Sequence, residues 1–302
     1  MLKIRGLNAY RLTKELDITL ESLTESLKAN LFTPCLSHQR VSMGFIPVCD
    51  GSEQVAYPVA GGFVVRVQRE EKILPASVIR ENVKKRKQEI EAKTGRRPTG
   101  EESKKLRDDT ESMLLGEAFS RNAAYYAWIN TKTNQLLVFT PSTTMAERIT
   151  GTLRRAIGSL PAVPHTTNLT RPLCSLLASW LRGSTDVIPL FKRNGGVTLE
   201  DELAPSGGIN INSDISDDTL FELMECRSVR SVAMQLPNIC TFALHGDGTV
   251  SKLKFDGLCA APADDESPIT KFDADAHIFM DAMLKLMNEL DFHAKIGIIE
   301  KE

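Results

Sequence analysis

No apolar run in this chain approaches the roughly 18–20 residues needed to cross a bilayer, which argues against a membrane-spanning helix. The opening residues, Met1-Leu2-Lys3-Ile4-Arg5-Gly6-Leu7, lack the apolar core of a secretory signal. Cysteine is sparse and scattered: Cys35, Cys49, Cys174, Cys226, Cys240 and Cys259 include no C-x-x-C pair. That usage implies reduced, mostly buried thiols in a cytoplasmic protein. Catalytic signatures are missing as well. There is no G-x-S-x-G, no P-loop and no H-E-x-x-H. The pairs Gly61-Gly62, Gly195-Gly196 and Gly207-Gly208 lack the pattern and the following helix of a phosphate-binding loop. No repeat of fixed period is present.

What the chain does have is size and one strong local bias. Its 302 residues, 42% hydrophobic and 25% charged, are those of a soluble globular protein of about two domains. The formal net charge of −2 hides a concentration of positive charge between Arg80 and Asp109. Lys84, Lys85, Arg86, Lys87, Lys93, Arg96, Arg97, Lys104, Lys105 and Arg107 all fall in that stretch. Such clustering lets a near-neutral protein hold a polyanion. No aromatic residue interleaves the run, which weighs against a stacking platform for single strands. No helix–turn–helix or zinc-finger signature suggests base readout. Sequence-independent contact with phosphates remains. A competing reading of the same residues is a solvated helical hairpin. Glu81, Glu89, Glu91, Glu101 and Glu102 are interspersed and could form i,i+4 pairs with the cations.

Periodicity organises the rest. Residues 2–12 read as a strand, and Asp17 or Thr19 could cap a helix running to Asn30 with Leu20, Leu23 and Leu27 on one face. Strands are expected at Val41–Ile46, Val55–Val59 and Phe63–Gln68, and a hairpin at Tyr125–Asn130 and Gln135–Phe139. Ser142 caps a helix carrying Met145, Ile149, Leu153 and Ile157, which stops at Gly158. Within the basic stretch, Pro75 permits a helix start, Thr94-Gly95-Arg96-Arg97-Pro98 breaks it, and Thr99 with Glu102 opens a second helix by a capping box. Their apolar stripes are thin: Val78, Ile79, Val83 and Ile90, then Leu106, Met113, Leu114 and Leu115. The pair should therefore project from an α+β layer as an arm. Beyond a Pro/Thr-containing connector at 161–172, a short helix is expected at Leu173–Leu181. Strands follow at Val229–Leu236, Ile239–Leu244 and Thr249–Phe255. A last helix places Ile278, Phe279, Met283, Leu286, Met287 and Leu290 on its apolar face.

Partial site motifs have plain readings. Asp273, Asp275 and His277 resemble a metal triplet, but alternate acids just before a helix also build its cap and first turn. His245 with Asp247 reads as turn chemistry at an Asp-Gly tip. Cys35 has no histidine set near it by any motif, so a buried structural thiol is favoured over a nucleophile.

A series of strings then becomes informative together: Tyr10-Arg11-Leu12, Phe32-Thr33-Pro34-Cys35, Met43-Gly44-Phe45-Ile46-Pro47, Glu70–Pro75 with Val78-Ile79, Ala118–Arg121, Trp128-Ile129, Leu153-Arg154-Arg155, Gly158-Ser159-Leu160-Pro161 and Leu253-Lys254-Phe255. In this order they resemble the RdgC family of bacterial recombination-associated proteins, densely to Pro164 and sparsely after it. The resemblance implies a homodimer closed into a ring around duplex DNA. It also implies nucleoid association and restraint of RecA-driven strand exchange. It places the family's tip at about 76–117 and its gate phenylalanine at Phe119, in the dimer interface. Where relatives carry lysines after the pair matching Gly207-Gly208, this chain has Ile209-Asn210-Ile211-Asn212-Ser213.

The expectation is thus an α+β fold of mixed antiparallel sheets with flanking helices and a projecting helical-hairpin arm, assembled as a ring-shaped homodimer. Residues 1–75 with 118–160 would form a central domain, 76–117 the basic tip and 161–302 an α+β base. No enzyme activity, cofactor or metal is expected. Duplex DNA would meet Lys84, Lys85, Arg86, Lys87, Arg96, Arg97, Lys104, Lys105 and Arg107; where the lysines are missing, either affinity is weaker or Lys192, Arg193, Arg227 and Arg230 supply the contacts instead. The alternative is a regulator that docks directly on the recombinase, and a nuclease ranks a distant third.

Overall fold

A computed structural model describes residues 4–167, 169, 171–183, 191–201, 208–212, 215–257 and 267–290. The first half runs β1 (Asn8–Leu12), α1 (Leu20–Lys28), β2 (Val41–Ile46), β3 (Ala56–Val59), β4 (Gly62–Lys72), α2 (Ala76–Thr94), α3 (Gly100–Glu117), β5 (Ser120–Asn130), β6 (Gln135–Val138) and α4 (Thr143–Ile157). The second half adds β7 (Ala162–Pro164), α5 (Leu173–Leu181), β8 (Lys192–Asp201), β9 (Ile209–Ile211), α6 (Asp217–Leu223), β10 (Arg227–Leu236), β11 (Cys240–His245), β12 (Val250–Phe255) and α7 (Pro268–Glu289). The fold is α+β. One antiparallel sheet has the order β2-β4-β5-β6-β1-β7 with β3 also on β4, and a second has the order β12-β11-β10-β8-β9.

The sheets meet at one bridge. Leu7 and Val250 exchange backbone hydrogen bonds of 2.9 Å each, and Leu253 N–H donates to Arg5 at 3.0 Å. Helix α7 fills the space between them with aromatic contacts, three edge-on and one, Phe272 on Tyr126, stacked. Phe279 meets Phe139 of the first half and Phe255 of β12, while Phe272 meets Tyr57 and Tyr126. One buried cluster therefore draws on both sheets, from Trp128 and Leu137 to Val232 and Leu253. A second lies between the first sheet and helices α1 and α4, around Leu23, Leu27, Ile149 and Leu153.

Several expectations shift for identifiable reasons. Residue 2 and residue 3 lie outside the described residues, and β1 begins only at Asn8. Thr19, not Asp17, caps α1, and Leu20 in its first turn is exposed. The paired strands β4 and β5 form eleven rungs, from Gly62↔Asn130 to Lys72↔Ser120, well beyond Gln68 and before Tyr125. Their extension is masked in sequence by charge, since Arg69, Glu70 and Lys72 are buried. Helix α7 begins at Pro268 behind a Ser267 cap, so Asp273, Asp275 and His277 sit inside the helix and not at its start. Asp273 pairs with His277 at 3.0 Å and accepts from Tyr57 at 2.8 Å, and Ile278 faces solvent. Among the described residues no cluster of three or more His, Cys, Asp or Glu is arranged to hold a metal ion. Strands β7, β8 and β9 and helix α6 were not expected. Of the five described cysteines, only Cys240 is buried and Cys226 is exposed, contrary to the expected burial; Cys259 lies outside the described residues.

Helices α2 and α3 interrupt the β4–β5 ladder at its end. Only Leu74, Ile79 and Leu115 are buried in the apolar cluster at their root. Lys72 supplies what that small cluster lacks. It is 7% exposed, and its ammonium donates to the carbonyls of Leu36 (2.9 Å), Ser37 (3.0 Å) and Leu115 (2.8 Å). All three ammonium protons are thereby used, one at the negative end of α3. Arg40 adds a 3.1 Å pair to Glu111 of α3 and a bond to Leu74 O. Glu70 accepts from Cys35 N–H at 2.6 Å. The Ser120 hydroxyl and that N–H hold its carboxyl below its ordinary range.

Two outcomes check this architecture. Lys72→Met removes a donor from three carbonyls, of which Leu36 O keeps Gln39 N–H (3.0 Å) and Leu115 O keeps Ala118 N–H (3.4 Å). A carbonyl left unpaired and buried costs about 1–3 kcal/mol, partly offset by relief of ammonium desolvation. Limited tryptic cleavage within 76–117 should accelerate in that variant, and an unchanged rate would deny the anchoring. Burial pushes the Cys240 thiol up to about 12, so iodoacetamide at pH 8 should label Cys226 and spare Cys240, as read by peptide mass mapping.

Candidate nucleic-acid interface

The cations of the basic stretch separate into two kinds once their partners are known. Gly95 takes the left-handed conformation (φ 70°) that ends α2, a conformation costly for residues with a Cβ. The reversal that follows is locked by charge. Arg96 grips Glu102 with two bonds of 2.9 and 2.7 Å, and Glu102 also accepts from Thr99 N–H at 2.8 Å in the expected capping box. Chiefly because of the Arg96 bonds, the Glu102 carboxyl is held down at about 2. Arg97 pairs with Glu91 at 3.0 Å and Lys85 with Glu81 at 3.2 Å. Arg86 turns between the helices and donates to Thr110, a residue with no exposed surface. Four of the nine candidate contacts on this segment are thus committed inside the protein.

The other five are not. Among the described residues, Lys84, Lys87, Lys104, Lys105 and Arg107 form no ion pair with an acid. Lys87 of α2 and Lys104 and Arg107 of α3 are brought together with Arg80 along one cleft between the helices. The solvated-hairpin reading therefore accounts for part of the run. Only the Lys85–Glu81 pair has i,i+4 spacing, whereas the Arg96 and Arg97 pairs bridge the turn.

Lys192, Arg193, Arg227 and Arg230 are not gathered in one place. Lys192 pairs in register with Gln235 and Arg227 with Asp201, at opposite ends of the β8–β10 ladder. At about 3.3 Å per residue these ends are roughly 25 Å apart. Arg193 reaches Asp217 at 3.3 Å and Arg230 lies 3.8 Å from Glu200, while Lys192 is exposed. Where lysines were looked for, Ile209–Ile211 forms edge strand β9 on β8, and Asn210 accepts from Thr198 at 2.9 Å. Gly207 and Ser213 lie outside the described residues.

Phe119 is 85% exposed, the largest value among the exposed large hydrophobic residues. It is not a core aromatic of the protomer. Its backbone carbonyl accepts from Ile73 N–H at 2.7 Å, one step beyond the last β4–β5 rung. Ile73 (51%) and Met113 (50%) are also exposed. Lys72 and Arg40, which hold the root of this segment, went unnoticed in the sequence. Only the string Glu70–Pro75 pointed to that neighbourhood.

Among the described residues no helix is long and apolar enough to cross a membrane. A family model described as "Putative exonuclease, RdgC" matches residues 2–294. A Shewanella loihica protein named "Recombination-associated protein RdgC" is 27% identical over 292 residues, covering 95% of each chain. A Salmonella typhimurium protein of the same name is 29% identical over 296 residues, 96% of this chain and 97% of the relative. On a match spanning nearly its whole length, the chain belongs to the RdgC family of recombination-associated proteins.

Proposed function

We propose that this protein binds double-stranded DNA without regard to sequence, encircles it as a ring-shaped homodimer and limits RecA-mediated recombination by occupying the duplex. The observation that carries the reading is the set of arm cations left without acidic partners on α2 and α3. Charged side chains that an isolated fold would neutralise are instead kept available for a polyanion. In this reading residues 76–117 are the arm of a central domain (1–75 with 118–160), and 161–302 is the base that closes the ring. Phe119 belongs to the arm-to-arm contact of a two-fold dimer, where a surface meets itself. The protein works in the cytoplasm on the nucleoid, without catalysis, cofactor or metal. The relatives' names as recombination-associated proteins support the setting, and the exposure of Phe119 supports the contact.

Binding by phosphate contact falls linearly with salt on a log–log scale, by about 0.9 per phosphate neutralised. Affinity for unrelated duplex sequences should therefore fall together, and a salt-independent titration would sink the mechanism. Inhibition of strand exchange should be relieved by excess duplex. Inhibition that persists would favour direct docking on the recombinase, and DNA shortening in Mg²⁺ or Mn²⁺ would favour a nuclease.

Phe119→Ala should behave as a surface change, within about 0.5 kcal/mol in protomer stability, where a core aromatic would cost about 3–5 kcal/mol. Dissociation from closed circular DNA should quicken, with linear DNA less affected because a ring can also leave from an end. Normal retention on circles would place the gate elsewhere.

A further inference from the structure

We infer that the cleft between α2 and α3 is a phosphate seat, and that Arg80, Lys87, Lys104 and Arg107 take the DNA backbone while Lys85, Arg86, Arg96 and Arg97 hold the arm together. The inference rests on the DNA-binding reading and assigns that contact to one face.

Geometry comes first. Arg80, Val83 and Lys87 recur on one face of α2, and Ser103, Lys104 and Arg107 on the facing side of α3. Residues three, four and seven apart on a helix share a face, so these side chains converge. They enclose about 360 Å³, floored by Ile79 and Val83, and no acidic side chain lines the space. Ser103 adds a neutral hydroxyl donor. A concave apolar floor beneath a rim of cations excludes water beneath a bound phosphate and strengthens each contact.

Electrostatics points the same way. Nine arm acids could neutralise cations, and the fold spends Glu81, Glu91 and Glu102 on Lys85, Arg97 and Arg96. The four cleft cations form no ion pair among the described residues. Arg80 donates its Nε to Ala76 O at 3.3 Å, which leaves its terminal nitrogens for a ligand. Four like charges set within reach of one another repel over the roughly 8 Å screening distance of physiological salt. An anion between them removes that repulsion. Arginine suits the task because its fork matches two phosphate oxygens, and lysine contributes a point charge. The Arg86–Thr110 bond ties the two helices that form the cleft to each other.

Two measurements test the seat. In the first, wild-type protein is acetylated with and without duplex DNA, and lysines are mapped by mass spectrometry. Lys87 and Lys104 should be protected by duplex and Lys85 should not. Equal protection of all three overturns the assignment. Protection by inorganic phosphate but not by duplex also overturns it, since the cleft would then be a free-ion site. In the second, Arg80→Gln, Lys87→Gln, Lys104→Gln and Arg107→Gln are compared with Lys85→Gln, Arg96→Gln and Arg97→Gln. Each cleft change should flatten the log–log salt slope by about 0.9, and each change in the other set by less than half as much. Equal effects sink the seat. If the wild type binds duplex normally and the cleft variants match it, the seat alone fails. If the wild type does not bind duplex at all, the functional reading fails with it.

Discussion

The β4–β5 ladder is the constraint on which the rest of this chain depends. Its eleven rungs hold two strands in fixed register from Gly62↔Asn130 to Lys72↔Ser120, so the polypeptide must leave and re-enter at one place. Everything from Ile73 to Phe119 is an insertion at that end. Most helical stability in proteins comes from tertiary packing of an apolar face, and the three buried apolar residues at the root of α2 and α3 supply little of it. The ladder compensates by fixing both ends of the insertion, and Lys72 extends that grip to the final turn of α3. A buried ammonium is an expensive anchor. It is tolerated here because three carbonyls surround it with matched acceptors.

Charge does two jobs on the insertion, and the fold keeps them apart. At the far turn, Arg97 with Glu91 ties the turn back to α2 and Arg96 with Glu102 ties it forward to α3. These pairs are exposed, so each adds little by itself, but together with the capping box they define where α2 stops and α3 starts. Nearer the body, the helices pack on Ile79 and Val83, and the charges that hold them come from Lys72 and Arg40 of the sheet side, not from the arm's own cations. The cations there are left over from folding. That division explains how a chain with a net charge of −2 can present a local positive face.

Local signals were legible and distant ones were not. Thr19, Thr99 and Ser142 were readable as helix caps because a cap and its partner lie three residues apart. The β10–β11–β12 meander was readable from alternation and from the turn at Gly246-Asp247. By contrast β8 carries Gly195-Gly196 and pairs with β10 through two register shifts, which break the period that would mark a strand. The outer part of β4 looked too charged to be a strand, because the partners of Glu70 and Lys72 lie more than thirty residues away. The basic run was plain, yet its sorting into spent and available cations was not. Glu91 to Arg97 and Arg96 to Glu102 each span six residues around a turn, a spacing that helix rules do not weigh.

Phe119 brings ladder and insertion to one point. Its backbone is held by Ile73 N–H as a continuation of the ladder, while its ring is left in solvent. A frayed terminus would expose an aromatic side chain without fixing it. Here position is fixed and only the contact is missing. Ile73 and Met113 are exposed as well, and on the proposed reading the three belong to the association site that exposed apolar surface would serve. Rigid backbone support lowers the ordering cost of any such association. On the proposed reading, the ladder that roots the DNA-binding helices also presents the residue that closes them around the duplex, so a change that loosens one should loosen the other.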